Sequence, residues 1–194
     1  MVTIVKKKLC SGLFLVEFEN QYEITSTFLR FQEYYESPEF RGKIFSLDEY
    51  KKWYTKIKGK FSYYTDWNGF NIPSYVLKPF YEGKFNPLSP EEKQILELFN
   101  NEKEKFYVIG THKEGNNSLD VMKHEIAHAF FYIYPDYMQK VINILRMFDL
   151  NEIRRELKSL GGYHNDVLED EVQAFSVSGD EKLKTKFPDE MKKR

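Results

Sequence analysis

The stretch His124-Glu125-Ile126-Ala127-His128 constrains this chain more than any other. Residues four apart lie one above the other on an α-helix, so in that conformation both imidazoles face the same way and can converge on one metal ion. Glu125 is rotated about 100° from His124, which sets a carboxylate beside the metal position, where it can take a proton from water. Zinc held there lowers the pKa of bound water from about 16 to about 7. The flanks agree with a helix: Ser118 can cap its N-terminus, Asp120 suits the first turn, and Val121, Ile126, Ala129 and Phe130 supply apolar packing. The plainer reading, two solvated histidines on a surface helix, leaves that apolar setting unexplained.

Two histidines do not hold a catalytic zinc by themselves, so a third ligand is required. A histidine six residues beyond the motif is ruled out, because Phe131 and Tyr134 occupy the positions where the long zincin signature has Gly and His. The segment Asn165 to Phe175 is the best source. Read as a helix, it places Val167, Leu168, Ala174 and Phe175 three and four residues to either side of Glu171, in the middle of an apolar stripe. A carboxylate buried there is costly unless paired or metal-bound. Ala174, one turn on, is small enough to let this helix approach the first. Glu169 and Asp170 fall toward the polar side, either as partners of the motif histidines or as solvated charges.

His124-Glu125-x-x-His128, followed some forty residues later by Glu171-x-x-Ala174, resembles the gluzincin branch of the HExxH metallopeptidases. In spacing it is similar to the small, mostly intracellular ImmA/IrrE-like peptidases. The resemblance implies one zinc ion per chain held by His124, His128 and Glu171, with Glu125 as general base and acid and a peptide or protein as substrate. It implies an α+β, zincin-like fold in which a mixed sheet packs on the HExxH helix, here with an N-terminal α/β extension. It spans residues from about Lys105 to Ser178, and departs from the family where Phe175 follows Ala174, since asparagine is usual there. Residues 1–100 carry no such resemblance and are read as an α/β lobe of unknown role, with residues 101–194 as the zincin-like catalytic lobe; at 194 residues one compact domain is the alternative.

Charge and cysteine content narrow the partners. A formal net charge of −1 over 194 residues leaves no overall basic field for nucleic acid, and Lys6-Lys7-Lys8 and Lys192-Lys193-Arg194 read as a solvated strand end and tail. A single cysteine, Cys10, excludes an internal disulfide and points to a reducing compartment, the cytoplasm. The apolar run Leu9 to Val16 is too short for a signal sequence and lacks a small-residue cleavage site, so it reads as a strand. No run approaches membrane-spanning length.

The remaining punctuation gives an element order. Two strands split at Ser11-Gly12 make a hairpin, and Tyr22 to Tyr35 reads as a helix ended by Ser37-Pro38. Ser46-Leu47-Asp48-Glu49 and Ser89-Pro90-Glu91-Glu92 are capping boxes that open two more helices. Between them, Asn68-Gly69 inside the aromatic run of Phe61, Tyr63, Tyr64, Trp67 and Phe70 suggests a second hairpin, with Pro73 keeping its far arm at a sheet edge. Those aromatics are either core or a recognition surface; the second option makes the chain a peptide- or protein-binding module with a structural or degenerate zinc site. Phe106 to Ile109 reads as a strand, lining the cleft as the resemblance implies or simply buried. His112 after it reads as a loop histidine, with contact to metal or substrate as the alternative. Pro135 ends or kinks the motif helix near Tyr134, Asp136 to Phe148 continues as an amphipathic helix, and Asp149-Leu150-Asn151-Glu152 opens another that stops at Gly161-Gly162. In the loop beyond, Tyr163 and His164 are candidates to stabilise a transition-state oxyanion, with plain loop packing as the alternative.

Overall fold

The computed structural model describes residues 2–115, 119–159, 164–178, 183 and 186–188. The chain forms two compact units, Met1–Tyr35 with Glu39–Asn116, and Glu36–Pro38 with Asn117–Arg194.

The first unit is built on a four-stranded sheet of order β1-β2-β4-β3, formed by β1 (Val5–Cys10), β2 (Leu13–Phe18), β3 (Phe70–Pro73) and β4 (Tyr107–His112). β1 and β2 are the expected antiparallel hairpin, turning at Gly12 with φ 75°, a conformation that glycine adopts without steric cost. β4 runs parallel to β2 and antiparallel to β3. Every residue of β4 is buried, which explains why Tyr107, Val108 and Ile109 follow one another without polar alternation. Gly110 in β4 is a packing requirement, because a Cβ there would stand 3.1 Å from Ile24 and 3.3 Å from Phe28 of α1 (Gln21–Glu36). At the sheet edge, Lys6 is not simply solvated: its ammonium pairs with Glu102 at 2.7 Å and lies 4.4 Å from the centres of the Phe14 and Phe99 rings.

Both capping boxes form as expected. Ser46 with Glu49 opens α2 (Leu47–Lys58), and Ser89 with Glu92 opens α5 (Pro90–Phe99). The second hairpin does not form. Tyr63–Asp66 is instead a short helix, α3, tied down by hydrogen bonds from Tyr54 and Ser62 to Asp66, and Phe70–Pro73 pairs with the distant β4 rather than with its own neighbours. The reason is periodic: Tyr63, Tyr64 and Trp67 are spaced for a helical turn, and a strand as apolar as β4 offers Phe70 and Ile72 more burial than a local hairpin could. Pro73 does lie on an edge strand. A 3-10 turn, Ser74–Leu77, and the short α4 (Lys78–Tyr81) follow without any anticipated signal.

The aromatic residues are mostly core. Tyr63 and Phe70 are buried, and Phe80 stacks on Phe85 and meets Phe31 at a tilt, with ring centres 3.9 and 4.1 Å apart. Of the expected recognition set, Trp67 is exposed and Tyr64 half-buried.

The second unit is helical: α6 (Leu119–Ile133), α7 (Pro135–Leu145), α8 (Asn151–Ser159) and α9 (Leu168–Ser178), the last entered through a 3-10 turn at Asn165–Val167. Pro135 opens α7 two residues after α6 ends at Ile133, and at this first helical position its missing N–H does no harm. Leu145, Leu150, Ile153, Leu157, Leu168 and Val172 form the core with Leu183 and Phe187. The cap expected at Ser118, the stop at Gly161-Gly162 and Tyr163 lie outside the described residues. Among the described residues no helix is long and apolar enough to cross a membrane. A mixed four-stranded sheet together with a helix carrying the HExxH stretch makes this an α+β architecture consistent with a zincin-like fold.

Candidate metal centre

Helices α6 and α9 supply the centre, and their packing follows from small and apolar residues at the contact. Ala127, Ala129, Val172 and Ala174 are all buried, and α9 also touches α7 and α8. On α6 the single helical turn from His124 to His128 brings their Nε2 atoms to 3.1 Å. From α9, Glu171 sets Oε2 at 3.8 Å from His124 Nε2 and Oε1 at 3.7 Å from His128 Nε2. One zinc with bonds of about 2.0–2.2 Å would hold its donors about 3.3–3.5 Å apart in a tetrahedral shell, so the three separations bracket what such an ion requires.

Hydrogen bonding around the cluster orients it. His128 Nδ1 is 3.0 Å from Asp170 Oδ1, and His124 is hydrogen-bonded to the Ala174 main chain. With these N–H groups committed, the Nε2 lone pairs of both rings face one another. Glu171 Oε2 is buried with no hydrogen-bond partner. Lone pairs and an anionic oxygen gathered out of water are unfavourable unless positive charge sits among them. In the metal-free chain protons serve. Burial depresses the His128 pKa, but the charges of Asp170 and Glu171 outweigh it and lift the imidazole to about 10. Burial and the His128 charge push His124 down to about 3, against its bond to Ala174, and burial raises Glu171 to about 8 against the pull of His128. A divalent cation answers the same need with all three donors at once, and the donor set of two imidazoles and one carboxylate fits zinc.

Glu125 follows His124 on α6 and is half-buried. Its charge is a small contribution to raising both His128 and Glu171.

Asp170 bonds His128, the first of the two roles open to it, but it is 7% exposed rather than turned to a polar side, because α9 is covered by three helices. Glu169 is on that polar side, where it accepts two hydrogen bonds from Arg154 of α8 at 2.8 and 3.0 Å. Gln173 and Tyr137, neither foreseen, extend the network: Gln173 donates to Asp170 at 3.0 Å and accepts from the Tyr137 hydroxyl at 3.1 Å. An amide in an otherwise apolar run, three residues after Asp170, was the available signal. Phe175, in place of the usual asparagine, packs edge-on against His124 with ring centres 4.6 Å apart.

Two further histidines belong to other elements than α6 and α9. His164 caps the 3-10 turn through Nδ1, which accepts from the Asp166 N–H at 3.3 Å. His112 is not a loop residue but the buried end of β4, opposite Phe18 of β2.

Comparison with protein-family models, with curated proteins and with solved structures found no match to this chain. The likeness to a family therefore stands on the cluster. His124-Glu125-x-x-His128, completed by Glu171 from a second helix, forms a buried zinc-coordinating geometry typical of HExxH gluzincin-like peptidases.

Proposed function

We propose that this protein is a zinc-dependent peptidase that hydrolyses peptide bonds of a peptide or protein substrate. The observation that carries the reading is the set of three converging donors: two Nε2 atoms 3.1 Å apart and a buried glutamate oxygen with no hydrogen-bond partner. When bound, the metal would polarise the scissile carbonyl and acidify water. His124, His128 and Glu171 would hold it, with His128 kept in the required tautomer by Asp170. Glu125 takes a proton from the attacking water and returns it to the leaving nitrogen, the role that a carboxylate at this helical offset can fill. A purely structural zinc would call for a fourth protein ligand, and the cluster among the described residues comprises three. The single cysteine is in keeping with work in a reducing compartment such as the cytoplasm.

Digestion of a broad peptide library by the zinc-loaded chain, followed by mass spectrometry, tests the activity. Cleavage that chelation abolishes is expected. Glu125→Gln should keep zinc bound and lower turnover by roughly 10²-fold or more. Undiminished turnover in that variant would remove Glu125 from the mechanism, and bound zinc with no cleavage by the parent would leave a metal-binding protein without this activity.

A further inference from the structure

Gln173 is 2% exposed on α9, between the buried Val172 and Ala174. A primary amide in such a place is unfavourable unless both of its ends are bonded. Here they are: Nε2 donates to Asp170 Oδ1 at 3.0 Å, and Oε1 accepts from the Tyr137 hydroxyl at 3.1 Å. Asp170 Oδ1 is also the atom 3.0 Å from His128 Nδ1. One carboxylate oxygen thus serves the imidazole and the amide together, and a chain of hydrogen bonds runs from α7 through α9 to α6. Its direction is set by chemistry. The carboxylate can only accept, so the amide must present its N–H groups to Asp170 and its oxygen to the tyrosine. Burial, and then the Asp170 charge, hold the Tyr137 hydroxyl above its ordinary pKa, so it keeps the proton it donates.

From this geometry we infer that Gln173, anchored by Tyr137, is a positioning residue for metal uptake: it fixes the Asp170 carboxylate so that His128 keeps its proton on Nδ1 and turns its Nε2 lone pair toward His124 and Glu171. The inference rests on the zinc reading of the cluster. Without the amide, Asp170 keeps only the imidazole at that oxygen and can rotate, and the histidine loses the fixed acceptor that selects its tautomer. Tyr137 has no part in holding metal directly; it orients the amide. Leu168, Val172 and Ala174 show that α9 packs well with apolar residues, so an amide at 173 is explained by what it bonds rather than by the space it fills.

Zinc affinity of the full chain, measured by competition with a chromophoric chelator at fixed pH, tests this, together with the imidazole nitrogen resonances of His128 in the zinc-loaded protein. Gln173→Glu sets a second carboxylate against Asp170 and should weaken zinc binding by about 10–100-fold. Gln173→Met, which keeps length and apolar packing, should weaken it less, and Tyr137→Phe by a few-fold. In the Met variant the His128 Nδ1–H resonance should lose its strongly hydrogen-bonded position, a change that a merely packing role for Gln173 would not produce. Should Gln173→Glu fail to fold, the other two variants decide. Parental zinc affinity and an unmoved His128 resonance in both Gln173→Met and Tyr137→Phe would overturn the inference alone. A parent chain that takes up no zinc would overturn the metal reading and this inference with it.

Discussion

Arg30 and Glu92 in the first unit, and His124, His128 and Glu171 in the second, are all charged or polar groups withdrawn from water, and the protein treats the two sets differently. Arg30 reaches Glu92 through two nitrogens and donates besides to the carbonyls of Phe85 and Pro87 at 2.9 and 3.2 Å. Glu92 in turn accepts from the Ser89 N–H at 2.8 Å, closing the cap of α5. The guanidinium and carboxylate are paired, and the fold supplies the partners. In the second unit the imidazole N–H groups have partners, but the inward nitrogens meet each other and Glu171 Oε2 meets no donor. A buried charge completed by protein is architecture; a buried donor set left to be completed by a cation is a site.

The comparison can be broken from either side. Arg30→Met leaves Glu92 charged and unpaired in the interior and should cost about 3–5 kcal/mol of stability, seen as a lowered midpoint in urea unfolding. A loss below about 1 kcal/mol would mean that Glu92 finds water, and the contrast between the clusters would fade.

The pH dependence gives a sharper and intermediate effect. In the metal-free chain Glu171 is raised from 4.5 to about 8 and His128 from 6.5 to about 10. A group whose folded pKa is raised binds more protons folded than unfolded, so its contribution to stability declines as pH rises through that range. His124, lowered from 6.5 to about 3, acts in the opposite sense, but below pH 6.5. Between about pH 6.5 and 8, therefore, Glu171 and His128 both make the metal-free chain less stable as pH rises. Zinc needs both groups deprotonated, so the gap in melting temperature between zinc-loaded and metal-free protein should widen across that window. A gap that narrows would contradict the assigned ligands.

Trp67→Ala should have the smallest effect. This ring is 44% exposed and packs only partly, on Tyr63 among others, so its loss should cost about 1–2 kcal/mol of stability and leave the peptide-library digest unaltered. A digest that collapses on losing Trp67 would make the aromatic face of the first unit a recognition surface after all.

Much of this arrangement is legible in the chain because local signals decide it. Ser46 with Glu49, Ser89 with Glu92, Gly12 and Pro135 act within one helical turn or one hairpin, and the structure uses each as its chemistry dictates. His124 and His128 are legible for the same reason, since helical spacing alone brings them together. Glu171 depends on packing between helices and was reachable only because its flanks are apolar. The pairing of β3 with β4, which joins Ile72 to Val108, is nonlocal, and no turn signal announces it. The burial of Asp170 is not legible in the same way, because α9 is covered on several sides and neighbouring acidic positions 170 and 171 are both buried and take different tasks.

The central claim is that His124, His128 and Glu171 hold one zinc ion. Its most direct test is the metal content of the parent chain and of Glu171→Ala after zinc loading and exhaustive dialysis, read by elemental analysis. The parent should retain about one zinc per chain, the number its three converging donors can hold with a position left for water, and Glu171→Ala should retain little. A parent that retains none, or a Glu171→Ala variant that keeps the full complement, would contradict the account.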